Sequence, residues 1–403
     1  MKREYIILRE EPDFGFAFET RTRGATRGAE PPPPTALRVE LDELTDREHE
    51  LINRDPMVST APDMVTHLVE PLPAENHVAT AMTEAWGISA VGADRASEIG
   101  YTGAGASAAV LDTGIDRLHP AFSGVALIEK DFTGSGNGDR NGHGTHAAGT
   151  IFGRDVDGVR IGVAPGLTEV YVGKVLGDDG RGSTKMIIQG LRWAMDLGVD
   201  VISLSLGIDF TRQVKRAIEV YNYEEDQAAS RTLLDFAQNL RMFDRVMEQA
   251  RSKRPFEEGS VIVAATGNDS RPTYRIATSL PAYSTGVLSV GATEYADVMG
   301  AGERQLHKVA QFSNSPPTIV APGVNILSAR VGGGLTAKSG TSMACPHVAG
   351  VAALWWEYVR RRPIPVTPAQ VEAQLFANCR FDVFSKTTDE SDRGTGLVTA
   401  PLN

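Results

Sequence analysis

From about Thr83 onward, short apolar runs rich in β-branched residues recur along the chain: SAAVL (107–111), EVYVGKVL (169–176), VDVISLSL (199–206), SVIVAAT (260–266) and VLSVGAT (287–293). Their hydrophobicity is near-continuous rather than alternating, which predicts parallel strands buried on both faces. Helical periodicity separates them. STKMIIQGLRWAMDLG sets Ile187, Leu191, Ala194 and Met195 on one face and ends at Gly198 as a C-cap. Alternating β and α signals predict an α/β fold: a doubly wound, mostly parallel sheet with helices on both faces. No internal repeat is evident.

The first 75 residues have another texture. Short apolar segments, YIIL, ALRVEL and MVTHLV, are separated by charged stretches. YIIL and THLV read as strands. LTDREHELIN reads as a helix with Thr45 as N-cap and Glu48 completing a capping box. Residues 1–75 are therefore expected to form a small α+β module. Pro31–Pro34 reads as an extended loop inside it, with a proline-recognition ligand as the alternative. EPLPAENH (70–77) reads as linker, which sets boundaries of 1–75 for the module, 76–83 for the linker and 84–403 for the main domain. Within that domain, 209–258 is a polar-rich helical insertion. Val214, Ile218 and Tyr221 share one face, as do Leu233, Ala237, Leu240 and Met247. It reads as an enlarged sheet-covering helix with an extra hairpin, or as a lid or docking surface.

Charge narrows the function classes. The 403-residue chain carries a net charge of −11 and a pI of about 5.3. Nucleic acids and anionic membranes both require a basic surface, so neither is an expected partner. No run approaches the ~18 apolar residues of a membrane span. The apolar run near the start, Tyr5 to Leu8, falls short of the ~7–15 residues of a signal peptide. A cytoplasmic location is expected, or a secreted one if a leader has been lost. Cys345 and Cys379, the two cysteines, are expected as reduced thiols.

Candidate chemistry follows from where strands end and helices begin, because open α/β sheets bind ligands beyond the carboxyl ends of their strands. SAAVL runs into Asp112 in VLDTGID, and VIVAAT runs into Gly267 and Asn268. NGHGTHAAG and SGTSMACPHVAG open helices with His143 and Ser342. A serine is a poor nucleophile unless a base takes its proton. Histidine has the right pKa for that task, and a buried carboxylate fixes its tautomer. The Asn268 amide and the Ser342 backbone N–H can hold an oxyanion. Pro346 is expected in the first helical turn, where it costs no hydrogen bond. Cys345 reads as a packed small residue rather than a rival nucleophile. His119, His146 and His347 read as structural. HGTH lacks a third zinc ligand at suitable spacing. Trp355 and Trp356 read as core and rim of the last long helix.

LDTGID, GHGTHAAGT and GTSMACPHVAG, in the order Asp, His, Ser, resemble the three signature blocks of subtilisin-like serine proteases. GVAPG (162–166), SLSLG (203–207), ATGN (265–268), FSN (312–314) and APGVNILS (321–328) extend the resemblance over about Glu84 to Leu402. It implies a serine endopeptidase working through an acyl-enzyme on Ser342, with Asp112 and His143 completing a triad and Asn268 as oxyanion donor. Gly180, Arg181 and Gly182 resemble one edge of the groove for an extended peptide, and Ser205, Leu206 and Gly207 the other. Ala265, Thr266 and Gly267 resemble a wall of the pocket before the scissile bond. Asp178 and Asp179 read as a solvated loop or as a bias toward basic substrates. No cofactor is required. Calcium is common in the family, but Ala121 stands where its main site has an aspartate. Asp155 and Asp157 are the remaining candidate ligands. Residues 1–75 resemble an N-terminal propeptide, which implies a zymogen inhibited by its own module, with the 70–80 stretch cut or lying in the cleft. Two alternatives stay open: a dedicated intracellular processing protease docking one substrate through 209–258, and a non-catalytic binding protein.

Overall fold

The computed structural model describes residues 2–12, 35–72, 84–252, 259–296, 306–363 and 365–402. The Pro31–Pro34 run and the 76–83 linker lie outside these residues. The N-terminal region comprises strands β1 (Arg3–Pro12) and β2 (Thr35–Leu44), helix α1 (Asp46–Ile52), and strands β3 (Val58–Pro62) and β4 (Val65–Leu68). Both arms of the expected capping box form at the start of α1: Thr45 accepts from the Glu48 N–H, and Glu48 accepts from the Thr45 N–H. The first three strands make an antiparallel sheet in the order β2-β1-β3. Successive β1 residues point to opposite faces. Ile6 and Leu8 enter the core of the main domain, whereas Tyr5 and Ile7 pack with Leu44 and Val58.

The strand at THLV forms but is not part of the module's sheet. β4 leaves it and inserts between two strands of the main domain, β8 (Arg181–Ser183) and β10 (Leu206–Gly207), in the order β10-β4-β8. The expected boundary at residue 75 therefore falls beyond the point where the chain has already entered the main domain.

That domain begins with α2 (Trp86–Val91) and α3 (Ala93–Glu98). Then come β5 (Ala108–Asp112), β6 (Ala126–Asp131), α4 (His143–Phe152), β7 (Glu169–Lys174), β8, α5 (Thr184–Asp196), β9 (Val201–Leu204) and β10. A helical pair follows, α6 (Phe210–Tyr221) and α7 (Glu225–Ser252), and after it β11 (Val261–Ala265), β12 (Val287–Tyr295), β13 (His307–Val309) and β14 (Ile319–Pro322). The chain closes with β15 (Ile326–Ala329), β16 (Leu335–Lys338), α8 (Thr341–Arg360) and α9 (Pro368–Ala377). The main sheet runs β13-β12-β11-β9-β5-β7-β6, with β14 also on β12. Every pairing in it is parallel except β12 with β13. α4 and α8 cover one face, and α5 and α7 the other. After β5 the chain goes to β6 and β7 on one side and then to β9 on the other. Asp112 thus sits at a topological switch point, where such sheets open a crevice.

α5 buries Ile187, Leu191, Ala194 and Met195 as its periodicity indicates, and Gly198 follows it at φ +69°. Within 209–258 the described residues form the helices α6 and α7, and their buried stripe matches the apolar one only in part. Met247 is buried and Leu240 packs against the core, but Leu233 is 61% exposed, and Thr232, Asp235, Asn239, Met242, Phe243 and Val246 also face inward. On α6, Gln213 and Ala217 are buried while Tyr221 is exposed. Trp355 and Trp356 are both core: their indole N–H groups donate to Thr399 O and Asp200 O. Among the described residues, no helix is long and apolar enough to cross a membrane.

Candidate active site

Asp112 closes β5 with its side chain 1% exposed. His143 is the first residue of α4 and is fully buried. Its Nδ1 lies 2.9 and 3.0 Å from the two Asp112 oxygens. A buried carboxylate can only accept, so Nδ1 carries the proton and Nε2 is left as the acceptor. Close approach of α4 to the β5 loop needs glycine at 144, where a Cβ would come within 2.2 Å of Gly114 O.

A second carboxylate holds the loop that delivers His143. Asp139 accepts from the Thr113 hydroxyl, from the Asn141 and Gly142 N–H groups, and from both the N–H and the hydroxyl of Thr145. Thr113 in turn accepts from the Gly144 N–H. Lys338 Nζ, half-buried at the end of β16, donates to Gly142 O at 3.1 Å. Burial pushes its pKa down, and the nearby Asp112 and Asp139 oppose this. Neither residue was singled out from the sequence. The Asp-x-Asn-Gly spacing before His143 is a turn signal that points to Asp139; Lys338 carries no comparable signal.

Ser342 is the second residue of α8, fully buried beneath the chain that crosses it. Pro346 is not in the first turn as expected but is the sixth residue of the helix. Its missing N–H deprives the Ser342 carbonyl of its i+4 donor. The Ser205 hydroxyl fills the vacancy, donating to Ser342 O at 3.2 Å. Asn268 follows β11, and its Oδ1 accepts from both the N–H and the hydroxyl of Thr341, each at 2.9 Å. That fixes the amide plane and aims Nδ2 into the cleft.

The cleft holds part of the chain itself. β4 pairs antiparallel with β8, Thr66 opposite Gly182 and His67 opposite Arg181, and with β10, His67 opposite Gly207 and Leu68 opposite Leu206. The Leu68 N–H donates to Gly180 O at 2.8 Å, and Ser342 Oγ donates to Val69 O at 2.8 Å. Asn268 Nδ2 donates to Glu70 O at 2.8 Å, and the Leu72 N–H reaches Ser339 O at 2.7 Å. Gly180, Arg181, Gly182, Leu206 and Gly207 thus flank an extended peptide on both edges, while Ser205 lies beneath Ser342. An open cavity beside Val69 is lined by Gly207, Gly267, Asn268, Asp269 and Ser279. Gly267 is at its wall; Ala265 and Thr266 are fully buried and do not line it. Burial, together with the Asp209 charge, pushes the Asp269 pKa up.

The remaining candidates resolve individually. Asp178 pairs with Lys174 at 2.5 Å and Arg140 at 3.5 Å, which hold its pKa down. Asp179 accepts the Arg181 N–H within its own turn. His146 Nε2 faces Ile326 O and Thr336 O, and burial pushes its pKa well down. His347 Nδ1 faces Met343 O, and its pKa is pushed down to about 4 by burial. His119 Nδ1 accepts the Ala121 N–H. Both cysteines are free buried thiols with pKa pushed up to about 11, so neither is a thiolate at neutral pH. Asp157 sits at φ +51° in the turn between the bridged Val156 and Val159. Among the described residues no group of three or more His, Cys, Asp or Glu gathers as a metal site, and Asp155 and Asp157 have no third partner.

The profile of the Subtilase family matches residues 103–396. The chain is 37% identical over 274 residues to Subtilisin BL of Lederbergia lenta, covering 67% of this chain and 82% of that protein. It is 34% identical over 319 residues to M-protease of Shouchella clausii (strain KSM-K16), covering 77% and 67%. It is 31% identical over 280 residues to Subtilisin DY of Bacillus licheniformis, covering 68% and 85%.

Proposed function

The chain belongs to the subtilase family and is a serine endopeptidase; from that premise we propose that it acts through Ser342, His143, Asp112 and Asn268, and that its N-terminal module makes it a zymogen. The reading as a non-catalytic binding protein is set aside with that premise. In the proposed cycle, Ser342 Oγ attacks a peptide carbonyl while its proton passes to His143 Nε2. Asp112, bound to Nδ1, orients the ring and stabilises the imidazolium. Asn268 Nδ2 and the Ser342 N–H receive the oxyanion. Collapse expels the amine, which takes the proton from His143, and water then hydrolyses the ester. Only protein groups act in these steps, so no cofactor is assigned.

The observation that carries the zymogen reading is β4. It occupies both edges of the peptide groove, and the carbonyls after it sit on Ser342 and Asn268. The inner face of the 209–258 pair supports the same reading, because it is taken by the chain's own module. Arg3 pairs with Asp235, Asn239 donates to Pro62 O, Gln213 donates to Val65 O, and Arg245 reaches Glu10, Ser59 and Pro56. The proposed occupant of that surface is therefore the module rather than a dedicated substrate. A fluorophosphonate probe tests both parts. Label should attach to Ser342 and vanish in Ser342→Ala, and it should attach faster once the module is loosened. Labelling that persists in Ser342→Ala, or a rate indifferent to the module, would count against the respective part.

A further inference from the structure

A general base must come within hydrogen-bond reach of the proton it removes, so the rate depends on how base and nucleophile are held. In the resting chain no direct bond holds them to each other. Ser342 Oγ donates to Val69 O, and His143 Nε2 makes no hydrogen bond among the described residues. The two side chains also start different helices, His143 as the first residue of α4 and Ser342 as the second of α8. Their relative position therefore falls to the segments that deliver them.

Lys338 joins those segments. It ends β16, four residues ahead of Ser342, and its Nζ donates at 3.1 Å to the carbonyl of Gly142, the residue immediately ahead of His143. Gly142 is the N-cap of α4, and no side-chain bond caps that end. Its carbonyl also accepts the His146 N–H, but at 3.4 Å, so the ammonium is the nearer donor. A reciprocal tie runs back from α4. His146 Nε2 shares its proton between Ile326 O at 3.0 Å and Thr336 O at 3.2 Å, and Thr336 belongs to β16. The strand feeding the nucleophile is thus bound to the helix of the base by one side chain in each direction.

The residue type matters here. A half-buried ammonium gives up hydration, so an apolar side chain would serve packing alone more cheaply. Burial pushes the Lys338 pKa down, and the charges of Asp112 and Asp139 oppose this. These carboxylates are the same two that hold the His143 ring and the turn before it. The cation is thereby balanced by the groups that place the base.

We propose that Lys338 is a positioning residue for the proton transfer: by gripping the carbonyl ahead of His143 from the strand ahead of Ser342, it fixes the base against the nucleophile. The step it serves is formation of the bond from Ser342 Oγ to the peptide carbon. The hydroxyl proton passes to His143 Nε2 and the carbonyl electron pair moves onto the oxygen. The proposal rests on the triad reading above.

The test uses the full-length chain and two variants that remove the donor while keeping apolar bulk, Lys338→Met and Lys338→Leu. Reactive serines are first counted with a fluorophosphonate probe, so that any misfolded or blocked fraction drops out, and peptide hydrolysis is then expressed per reactive serine. In both variants kcat should fall by about 10- to 100-fold with KM little changed, as a misplaced base requires. Lys338→Arg keeps a cationic donor and should recover part of the loss. The proposal is overturned if kcat per reactive serine in either apolar variant stays within about twofold of wild type, or if the loss appears as a rise in KM. It is also overturned if Lys338→Arg is no faster than Lys338→Met, since the donor would then not be what matters. Absence of label at Ser342 in the wild type would remove the triad reading, and the proposal with it.

Discussion

Ser205 and Pro346 form a pair that only the structure reveals. Proline in the second turn of α8 leaves the nucleophile's own carbonyl without its helical donor, and the Ser205 hydroxyl supplies one. Leaving a buried acceptor unpaired costs about 1–3 kcal/mol. Ser205→Ala should lower stability by about that much, and the loss should shrink when Pro346→Ala returns the missing N–H. A double-mutant cycle in denaturant measures this coupling, and strictly additive losses would contradict it. Asn268 is the other residue whose worth can be stated. Asn268→Leu should lower kcat by about 10²–10³ with KM little changed, because its donor gains importance only as the oxyanion forms; the figure comes from subtilisin itself, where one such donor is worth about 2.7–4 kcal/mol. A proportional rise in KM at unchanged kcat would assign Asn268 to ground-state binding. At this scale the sequence was most legible where a side chain has a chemical task, as for Asp112, His143, Ser342 and Asn268. It pointed to the stretch from Glu70 onward as cleft-bound only through the family resemblance, and it was silent on Val69, because both residues meet the site through carbonyls that every residue possesses.

The helical pair α6 and α7 shows why an element can be recognised while its facing is not. Apolar periodicity put Leu233 inward, yet Asp235 and Asn239 occupy the inner stripe because each finds a polar partner on the N-terminal module. A half-polar interface leaves no clean apolar stripe to read. β4 is the same case in strand form: THLV was legible as a strand, but its partners are short segments with weak patterns of their own, GRG and SLG. Arg245 anchors the module through Glu10, Ser59 and Pro56. Its guanidinium is 32% exposed, so solvent screening trims the ion pair, and the set is worth about 1–2 kcal/mol. Arg245→Ala should therefore speed labelling of Ser342 by a factor of about 5–30. An unchanged rate would mean that the strand in the groove, not the helical dock, holds the module.

For the molecule as a whole, the parallel sheet and its covering helices were legible because their strands are continuous apolar runs. The histidines beneath the site were legible only as structural. Their burial couples stability to pH. His347 lies within α8, and its folded pKa is pushed down to about 4, against about 6.5 in an unfolded chain. His146 in α4 is shifted in the same direction by burial, with the charges of Lys338 and His143 adding to it. Below pH 6.5 the unfolded chain binds protons that the folded chain refuses, so stability falls as pH drops from about 6.5 to about 4 and then levels for His347. The shift corresponds to about 3 kcal/mol for His347 alone. Melting should be followed across that range at constant ionic strength, in a Ser342→Ala background that prevents self-digestion. His347→Asn keeps a donor for Met343 O but does not titrate there, so its melting temperature should fall less steeply with acid than that of its parent. Parallel slopes would place the acid sensitivity in other groups. The expected slope has a functional consequence: α4 and α8 carry His143 and Ser342, so acid should loosen the two helices that present the base and the nucleophile before it reaches carboxylates on the outer strands.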